Sequence, residues 1–203
     1  MTTTPCLPNL VLEPTAQDLL FRNARTANTF TDESVTEEHI RAIYDLVKYA
    51  PTSMNIQPLR LVVVSSEQAR ERLVAHMSDG NKAKTATAPA VVILATDVDF
   101  HDELPRVFPH FPGARDLFLD DEARERTARF NAALQVGYFI LGVRAAGFAA
   151  GPMTGFDADG LNAEFFAGSA HKVLAVVNIG RPGPDAWLDR LPRLEFEDVA
   201  TTI

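Results

Sequence analysis

The sequence predicts an α+β or α/β domain in which helices pack around a central sheet of four or five strands. Two apolar runs, 90–95 (AVVILA) and 173–179 (VLAVVNI), show almost no polar alternation, which is typical of strands covered on both faces. One long helix is predicted from residue 120 to about residue 146, where Gly147 ends it. Its last third is apolar on nearly all sides, which places it in a core or at a dimer interface.

Two further helices are predicted within the first fifty residues. The first covers residues 15–25. The second begins at Ser34, because Ser34 and Glu37 match a capping box. It ends near Ala50, because Pro51 disfavours helical geometry in the residue before it. Its apolar positions recur at helical spacing and are Ile40, Ile43, Tyr44 and Val47. Tyr44 and Tyr138 are predicted to be core residues rather than substrate contacts.

The middle and the end of the chain contain shorter elements. Residues 61–64 predict a short apolar strand, and Ser66 can cap a helix after it that carries Leu73, Val74 and Met77. Region 101–119 contains three prolines and several aromatic residues, which predicts a long irregular excursion. The segment from Arg181 is again rich in proline and is predicted to be an extended arm that reaches across a partner subunit.

Composition limits the class of function. A chain of 203 residues suits a single domain. Its net charge of −8 and pI of about 5.1 argue against nucleic acid or an anionic membrane as a partner. The single cysteine, Cys6, fits a reducing compartment, and the N-terminus MTTTPCLPNL lacks the pattern of a signal peptide. Gln135 and Arg144 interrupt the apolar stretch 132–151, which favours a buried helix over a membrane span. A cytoplasmic protein is expected.

Common catalytic and cofactor motifs are missing from the sequence. It has no G-x-G-x-x-G, no P-loop and no H-E-x-x-H, and nothing around Ser169 and His171 resembles the nucleophile elbow of a hydrolase. His101 and His110 lie near acidic residues, so a metal site and a plain polar loop both stay open; the acids are Asp99, Asp102 and Glu103. A phosphorylated cofactor would therefore be held by arginines and polar loops.

Four polar segments follow the predicted helices and strands. They are 25–30 (RTANTF), 51–58 (PTSMNIQP), 151–157 (GPMTGFD) and the pair 178–180 (NIG) with 190–193 (RLPR). Each alone fits an ordinary turn or loop. As an ordered set they resemble the flavin-binding segments of the nitroreductase family, whose signature P-[ST]-S-x-N-x-Q-P matches 51–58. Within that family the chain is most similar to the branch that includes malonic semialdehyde reductase.

The resemblance implies an α+β, nitroreductase-like FMN-binding fold over residues 1–203. It also implies a homodimer with one FMN at each subunit interface, built by both chains. NADH or NADPH would reduce the flavin, and a small-molecule electron acceptor would reoxidise it. The branch implies reduction of malonic semialdehyde to 3-hydroxypropionate, and the broader family implies nitroaromatics, quinones or flavins. A flavin-binding protein without turnover and a flavin-free interaction domain are the alternatives.

The resemblance also implies which residues bind the cofactor, and no catalytic side chain, since the flavin N5 carries the chemistry. Arg25 and Arg193 match phosphate-binding positions, and Arg190, which lies three residues before Arg193, is expected to bind the cofactor as well. Neutral hydrogen bonds are expected from Thr26, Gln57 and Asn81. The neighbouring subunit would place beside the ring Pro51, Thr52, Ser53, Met54 and Asn55. The opposite side would be covered, with a backbone N–H near N5, by Pro152, Met153, Thr154 and Gly155.

The chain departs from the family pattern at two positions. Asn28 stands where many relatives have a basic residue that stabilises negative charge on the reduced flavin. That stabilisation is expected from Asn28 as a neutral donor or from elsewhere. Ala24 replaces a further arginine, so the phosphate site is thinner or recruits Arg22. Met54 is expected to shape the acceptor pocket.

Overall fold

The computed structural model describes residues 10–203 and confirms an α+β fold built on one antiparallel sheet of four strands. Cys6 and the rest of residues 1–9 lie outside the described residues. The sheet order is β1–β2–β4–β3, and every neighbouring pair is antiparallel. The strands are β1 (Leu59–Val64), β2 (Ala90–Asp97), β3 (Ala149–Met153) and β4 (His171–Gly180).

Eight helices surround the sheet within the described range. The first four are α1 (Pro14–Gln17), which continues as a π-helical turn (Asp18–Arg22), α2 (Glu37–Val47), α3 (Glu67–His76) and α4 (Asp79–Thr87). The others are α5 (Leu104–Val107), α6 (Asp121–Ala145), α7 (Ala158–Phe165) and α8 (Phe196–Val199). No helix among residues 10–203 combines the length and the apolar character that a membrane span needs.

The long helix α6 has the ends that the sequence predicted. The Asp120 side chain accepts a hydrogen bond from the Ala123 N–H at 2.8 Å and so caps the first turn. Gly147 follows the helix with a φ of 79°, which glycine adopts at little cost. In the same way, the Ser66 hydroxyl accepts from the Ala69 N–H at 3.2 Å and caps α3.

The predicted start of α2 is wrong by two residues. The N-cap is Thr36, whose hydroxyl accepts from the His39 N–H at 3.4 Å, while His39 Nδ1 accepts from the Thr36 N–H at 3.1 Å. This reciprocal pair performs the function that Ser34 and Glu37 were expected to perform. The first helix is also shorter than predicted, because its π-helical turn ends at Arg22 rather than at residue 25.

Two apolar layers enclose the central strands β2 and β4, as the uninterrupted apolar runs predicted. One layer lies between the sheet and helices α2 and α6, and it contains Ile43, Phe139, Leu94 and Ile179. The other lies between the sheet and helices α3 and α7, and it contains Leu73, Leu161, Ile93 and Val176. The excursion after β2 forms α5 and two 3₁₀ turns (Phe100–Glu103 and Pro112–Phe118), which pack in a separate cluster against Ile56.

A row of large apolar side chains on α2 and α6 remains exposed in the single chain. Tyr44 and Tyr138, predicted to be core residues, are 41% and 43% exposed. On α6, the exposed residues recur every fourth position, so they share one face of the helix. We call this the α2–α6 surface, and it comprises Tyr44, Leu46, Phe130, Leu134 and Tyr138. Several exposed large apolar side chains on neighbouring helices are typical of a protein–protein contact.

Candidate functional site

A cavity of about 250 Å³ lies between the segment that follows α1 and the C-terminal arm. Arg25 Nη1 donates to the carbonyl of Leu188, 163 residues further along the chain, at 3.2 Å. Arg190 Nη2 donates back to the Arg22 carbonyl at 2.6 Å and to the Ala24 carbonyl at 3.3 Å. These bonds hold the arm against the N-terminal segment. The cavity lining contains five of the predicted cofactor residues, Arg25, Thr26, Asn28, Arg190 and Arg193, which we call the arginine set.

The arginine set carries three positive charges, and one acidic residue, Asp189, lines the same cavity. Among residues 10–203, none of its three arginines lies within 4 Å of an acidic side chain. Arg22 is engaged elsewhere, because its guanidinium donates to Asp18 Oδ1 at 3.1 Å and to the Gln17 side chain. Arg190 is therefore the third cation of this cavity. Three guanidinium groups that converge on a cavity are suited to bind a phosphate group.

A lysine on α4 lies beside the Asn28 position. Lys84 Nζ donates to Asn28 Oδ1 at 3.4 Å, and it has no acidic partner within 4 Å in the described part of the chain. A cation on a neighbouring element thus lies beside the Asn28 position. Lys84 is not among the residues that the sequence motifs indicated. Its signal was its position three residues after the predicted Asn81, which places both on one side of α4.

Asn81 connects α4 to the segment that follows β3. Its Nδ2 donates to the Gly155 carbonyl at 2.9 Å, and the Ser78 N–H donates to the same oxygen at 3.0 Å. A Cβ atom on Gly155 would lie 2.7 Å from Asn81 Nδ2, so this approach requires glycine. At its other end, α4 is fixed by Arg70, which donates to the Thr85 and Ala88 carbonyls at 2.8 and 2.7 Å. Burial lowers the pKa of the Arg70 guanidinium from its ordinary value.

The segment after α1 lies directly against β3. The Ala27 N–H donates to the Ala150 carbonyl at 3.0 Å, and a Cβ atom on Gly151 would lie 2.7 Å from the Ala27 carbonyl oxygen. The segment after α1 therefore lies along the first half of β3, and the start of α4 contacts the residues that follow the last residue of that strand. The Met153 side chain is buried in the core beside Thr85. Only its backbone could face a ligand.

The loop between α2 and β1 lines a different cavity, of about 470 Å³. Three of its residues have left-handed φ angles although none is glycine: Met54 (49°), Asn55 (55°) and Gln57 (41°). The Gln57 N–H donates to Thr52 Oγ1 at 3.3 Å, and Asn55 Nδ2 donates to the Val107 carbonyl in the excursion at 2.8 Å. We call Pro51, Thr52, Ser53, Met54, Asn55 and Gln57 the loop set.

The arginine set lines one cavity of the chain, and four members of the loop set line another: Pro51, Thr52, Asn55 and Gln57. The two linings have no residue in common. The loop cavity also includes Lys48, whose pKa is raised by its hydrogen bond to Asp45 at 2.8 Å. A site that uses both sets would therefore combine two cavities that are separate within the single chain.

The structure gives little support to the two other hypotheses from the sequence, a metal site and a hydrolase. Within residues 10–203, no group of three or more His, Cys, Asp or Glu side chains could hold a metal ion. Asp102 and Asp99 are paired with Arg115 and Arg124, at 2.8 and 3.2 Å. Ser169 Oγ donates to the Phe166 carbonyl at 2.9 Å, which is a turn contact.

Comparison with known proteins identifies both sequence relatives and structural neighbours of this chain. A Streptomyces coelicolor protein named "Putative NADH dehydrogenase/NAD(P)H nitroreductase" is 62% identical over 196 residues, covering 96% of this chain and 100% of its own length. A protein of the same name from Leptothrix cholodnii is 45% identical, covering 95% and 98%. A nitroreductase structure from Exiguobacterium sibiricum, solved in complex with FMN, superimposes with a TM-score of 0.81 at 20% identity, covering 92% and 96%. This last likeness shows that the folds agree.

The profile of the nitroreductase family matches residues 21–181, which include the loop set, α4 and the segment after β3. The match covers most of the chain, and it leaves Arg190 and Arg193 of the C-terminal arm outside. The sequence relatives are similar over nearly their whole length as well. The chain therefore belongs to the nitroreductase family.

Proposed function

We propose that the chain is an FMN-dependent oxidoreductase that takes electrons from NADH or NADPH and passes them to a small-molecule acceptor. The observation that carries this proposal is the arginine set: three guanidinium groups without acidic partners around one cavity, in a chain with a net charge of −8. A cluster of free cations in an acidic protein indicates an anionic ligand. Membership of the nitroreductase family makes the phosphate of FMN the best candidate.

The residues present fit FMN by charge and by polarity. Its doubly negative phosphate would be held by Arg25, Arg190 and Arg193. Thr26 and Asn28 lie in the same cavity and can bond to ribityl hydroxyls or to the ring edge. When bound, FMN supplies a ring that accepts and donates hydride at N5, so the chain needs no side-chain nucleophile. The chain itself would bind and orient the cofactor. Lys84 and the backbone of residues 152–155 would tune the charge around the flavin ring.

We further propose that the active form is a homodimer in which the loop set of one chain completes the site of the other. The separation of the loop set from the arginine set supports this proposal. The α2–α6 surface supports it as well, because Phe130 is 67% exposed on the same face of α6 as Leu134 and Tyr138. Burying such a surface against a second copy would be favourable by roughly 25 cal/mol per Å².

The purified protein is expected to be yellow, or to take up FMN when it is added. FMN should raise the melting temperature, while riboflavin, which lacks the phosphate, should raise it much less because the arginine set has nothing to bind. Bleaching of the flavin absorbance band by NADH or NADPH without oxygen then tests electron transfer. A colourless protein whose melting temperature FMN does not change would contradict the proposal. A yellow protein that neither donor bleaches would indicate flavin binding without turnover.

The acceptor that the branch resemblance favours is malonic semialdehyde, which would be reduced to 3-hydroxypropionate. The names of the sequence relatives favour nitro compounds as a second candidate. Reoxidation of the reduced enzyme without oxygen by a panel of aldehydes, quinones and nitroaromatics distinguishes the two. Malonic semialdehyde should reoxidise it fastest, at least tenfold above an unsubstituted aldehyde of similar size, which corresponds to about 1.4 kcal/mol. Rapid reaction with a quinone and none with malonic semialdehyde would reject the branch assignment.

A further inference from the structure

The backbone of the loop between α2 and β1 needs support from outside the loop. Left-handed φ angles at Met54, Asn55 and Gln57 are uncommon for residues with a Cβ atom. Such conformations persist only where the surrounding structure fixes them. The internal bonds, from the Ile56 N–H to the Ser53 carbonyl and from the Gln57 N–H to Thr52 Oγ1, do not connect the loop to the rest of the fold.

Two buried amide side chains on α6 provide that connection. Asn131 is 3% exposed, and its Oδ1 accepts from the Ser53 N–H at 2.8 Å. Gln135 is 6% exposed, and its Oε1 accepts from the Leu59 N–H at 3.0 Å. The two amides are four residues apart and so lie on the same face of α6. Their hydrogen bonds fix the loop on both sides of its left-handed residues.

The orientation of the Asn131 amide is itself fixed. Its Nδ2 donates to the Thr127 carbonyl at 2.9 Å, which leaves Oδ1 as the atom that faces the Ser53 N–H. Asn131 and Thr127 also line, together with residues 51–53, a cavity of about 560 Å³. The Asn131 amide therefore contacts the same cavity as the first three residues of the loop set.

We infer that Asn131 and Gln135 are positioning residues, which hold the loop set in the geometry in which it meets the flavin of the neighbouring subunit. The inference rests on the proposed function and deepens it. Asn131 acts through Ser53, and Gln135 acts through Leu59. Without the Asn131 acceptor, the partly buried Ser53 N–H loses its partner and the left-handed residues lose a constraint. The loop then relaxes toward ordinary φ angles.

The experiment compares FMN binding by the wild-type protein with binding by Asn131→Leu, which keeps the side-chain volume and removes the acceptor. The FMN dissociation constant should rise about tenfold. At saturating FMN, the visible circular dichroism of the bound flavin should change, because the surroundings of its ring change. Gln135→Met should shift both quantities in the same direction. The matched control is Leu73→Ala, which opens a cavity in the core beneath α3 and lowers the melting temperature without touching the loop.

A second variant covers the case in which Asn131→Leu does not fold. In Asn131→Ser, the hydroxyl can donate to the Thr127 carbonyl but is too short to reach the Ser53 N–H, so the same changes in affinity and circular dichroism are expected. If these variants lower the melting temperature and yet bind FMN with wild-type affinity and spectrum, as Leu73→Ala should, the amides are only structural and the inference is wrong. If the wild-type protein takes up no FMN, the proposed function fails together with this inference.

Discussion

An equimolar mixture of two inactive variants should recover about one quarter of the wild-type activity. One variant removes phosphate-binding cations (Arg25→Ala with Arg193→Ala), and the other removes polar groups of the loop set (Thr52→Ala with Asn55→Ala). If each site takes its arginine set from one chain and its loop set from the other, a mixed dimer has one intact site and one site with both defects. Roughly half of randomly assembled dimers are mixed, so about a quarter of all sites are intact.

Each variant alone should lose at least about a hundredfold in activity at limiting FMN. A hydrogen bond to a charged group contributes about 1.5–3 kcal/mol, so removing two guanidinium groups from one phosphate weakens binding by that factor or more. The loop variant loses the Thr52–Gln57 and Asn55–Val107 hydrogen bonds that shape the loop. The measurement is NAD(P)H oxidation by the two variants after joint refolding, or by mixed dimers isolated with two different tags.

The control mixture combines two single variants of the arginine set, Arg25→Ala and Arg193→Ala. No arrangement of these two chains gives an intact site, so their mixture should show no more activity than the average of the two. Recovery in the first mixture and none in the control would support a site built by both subunits. Equal behaviour of the two mixtures would mean that both sets act within one chain, and the dimeric site would be rejected.

The parts of the fold that the sequence predicted correctly depend on local rules. The runs 90–95 and 173–179 were identified as buried strands because they show almost no polar alternation, with Asn178 as their one polar residue, and β2 and β4 contain them. The ends of α6 followed from an aspartate cap and a glycine stop. The prediction of where α2 begins was wrong because two hydroxyl residues, Ser34 and Thr36, can both act as the N-cap. The true partner of Thr36 is His39, which the usual rule with Glu or Gln does not include.

Other features depend on tertiary packing that the sequence does not express. Residues 151–153 lie in β3, an edge strand of the sheet, although their glycine and proline are typical of a loop. Helical periodicity identified Tyr44 as an apolar position, but it cannot separate a core face from a surface that meets another chain. The same limit applies to the site. Motif order indicated Arg25, Asn28 and Asn81, whereas the contact between Lys84 and Asn28 joins residues 56 positions apart.

Replacement of Lys84 by Met should lower the midpoint potential of the bound FMN by roughly 30–60 mV. Lys84 Nζ lies 3.4 Å from Asn28 Oδ1, and under the proposed function this cation stabilises the negative charge of the reduced flavin. A charge-assisted hydrogen bond contributes about 1.5–3 kcal/mol, and 30 mV corresponds to about 1.4 kcal/mol for a two-electron couple. The measurement is equilibration of the enzyme against reference dyes during reduction without oxygen.

The matched control is Lys82→Met on the same helix. Lys82 Nζ pairs with Asp79 Oδ1 at 2.8 Å, so its removal changes the net charge equally without removing a cation from the Asn28 position. The Lys82 variant should keep a potential close to that of the wild type. Adding Asn28→Lys to Lys84→Met should restore much of the lost potential, because it returns a cation to the same place. Equal shifts in the Lys84 and Lys82 variants would mean that Lys84 acts only through net charge and lies outside the site.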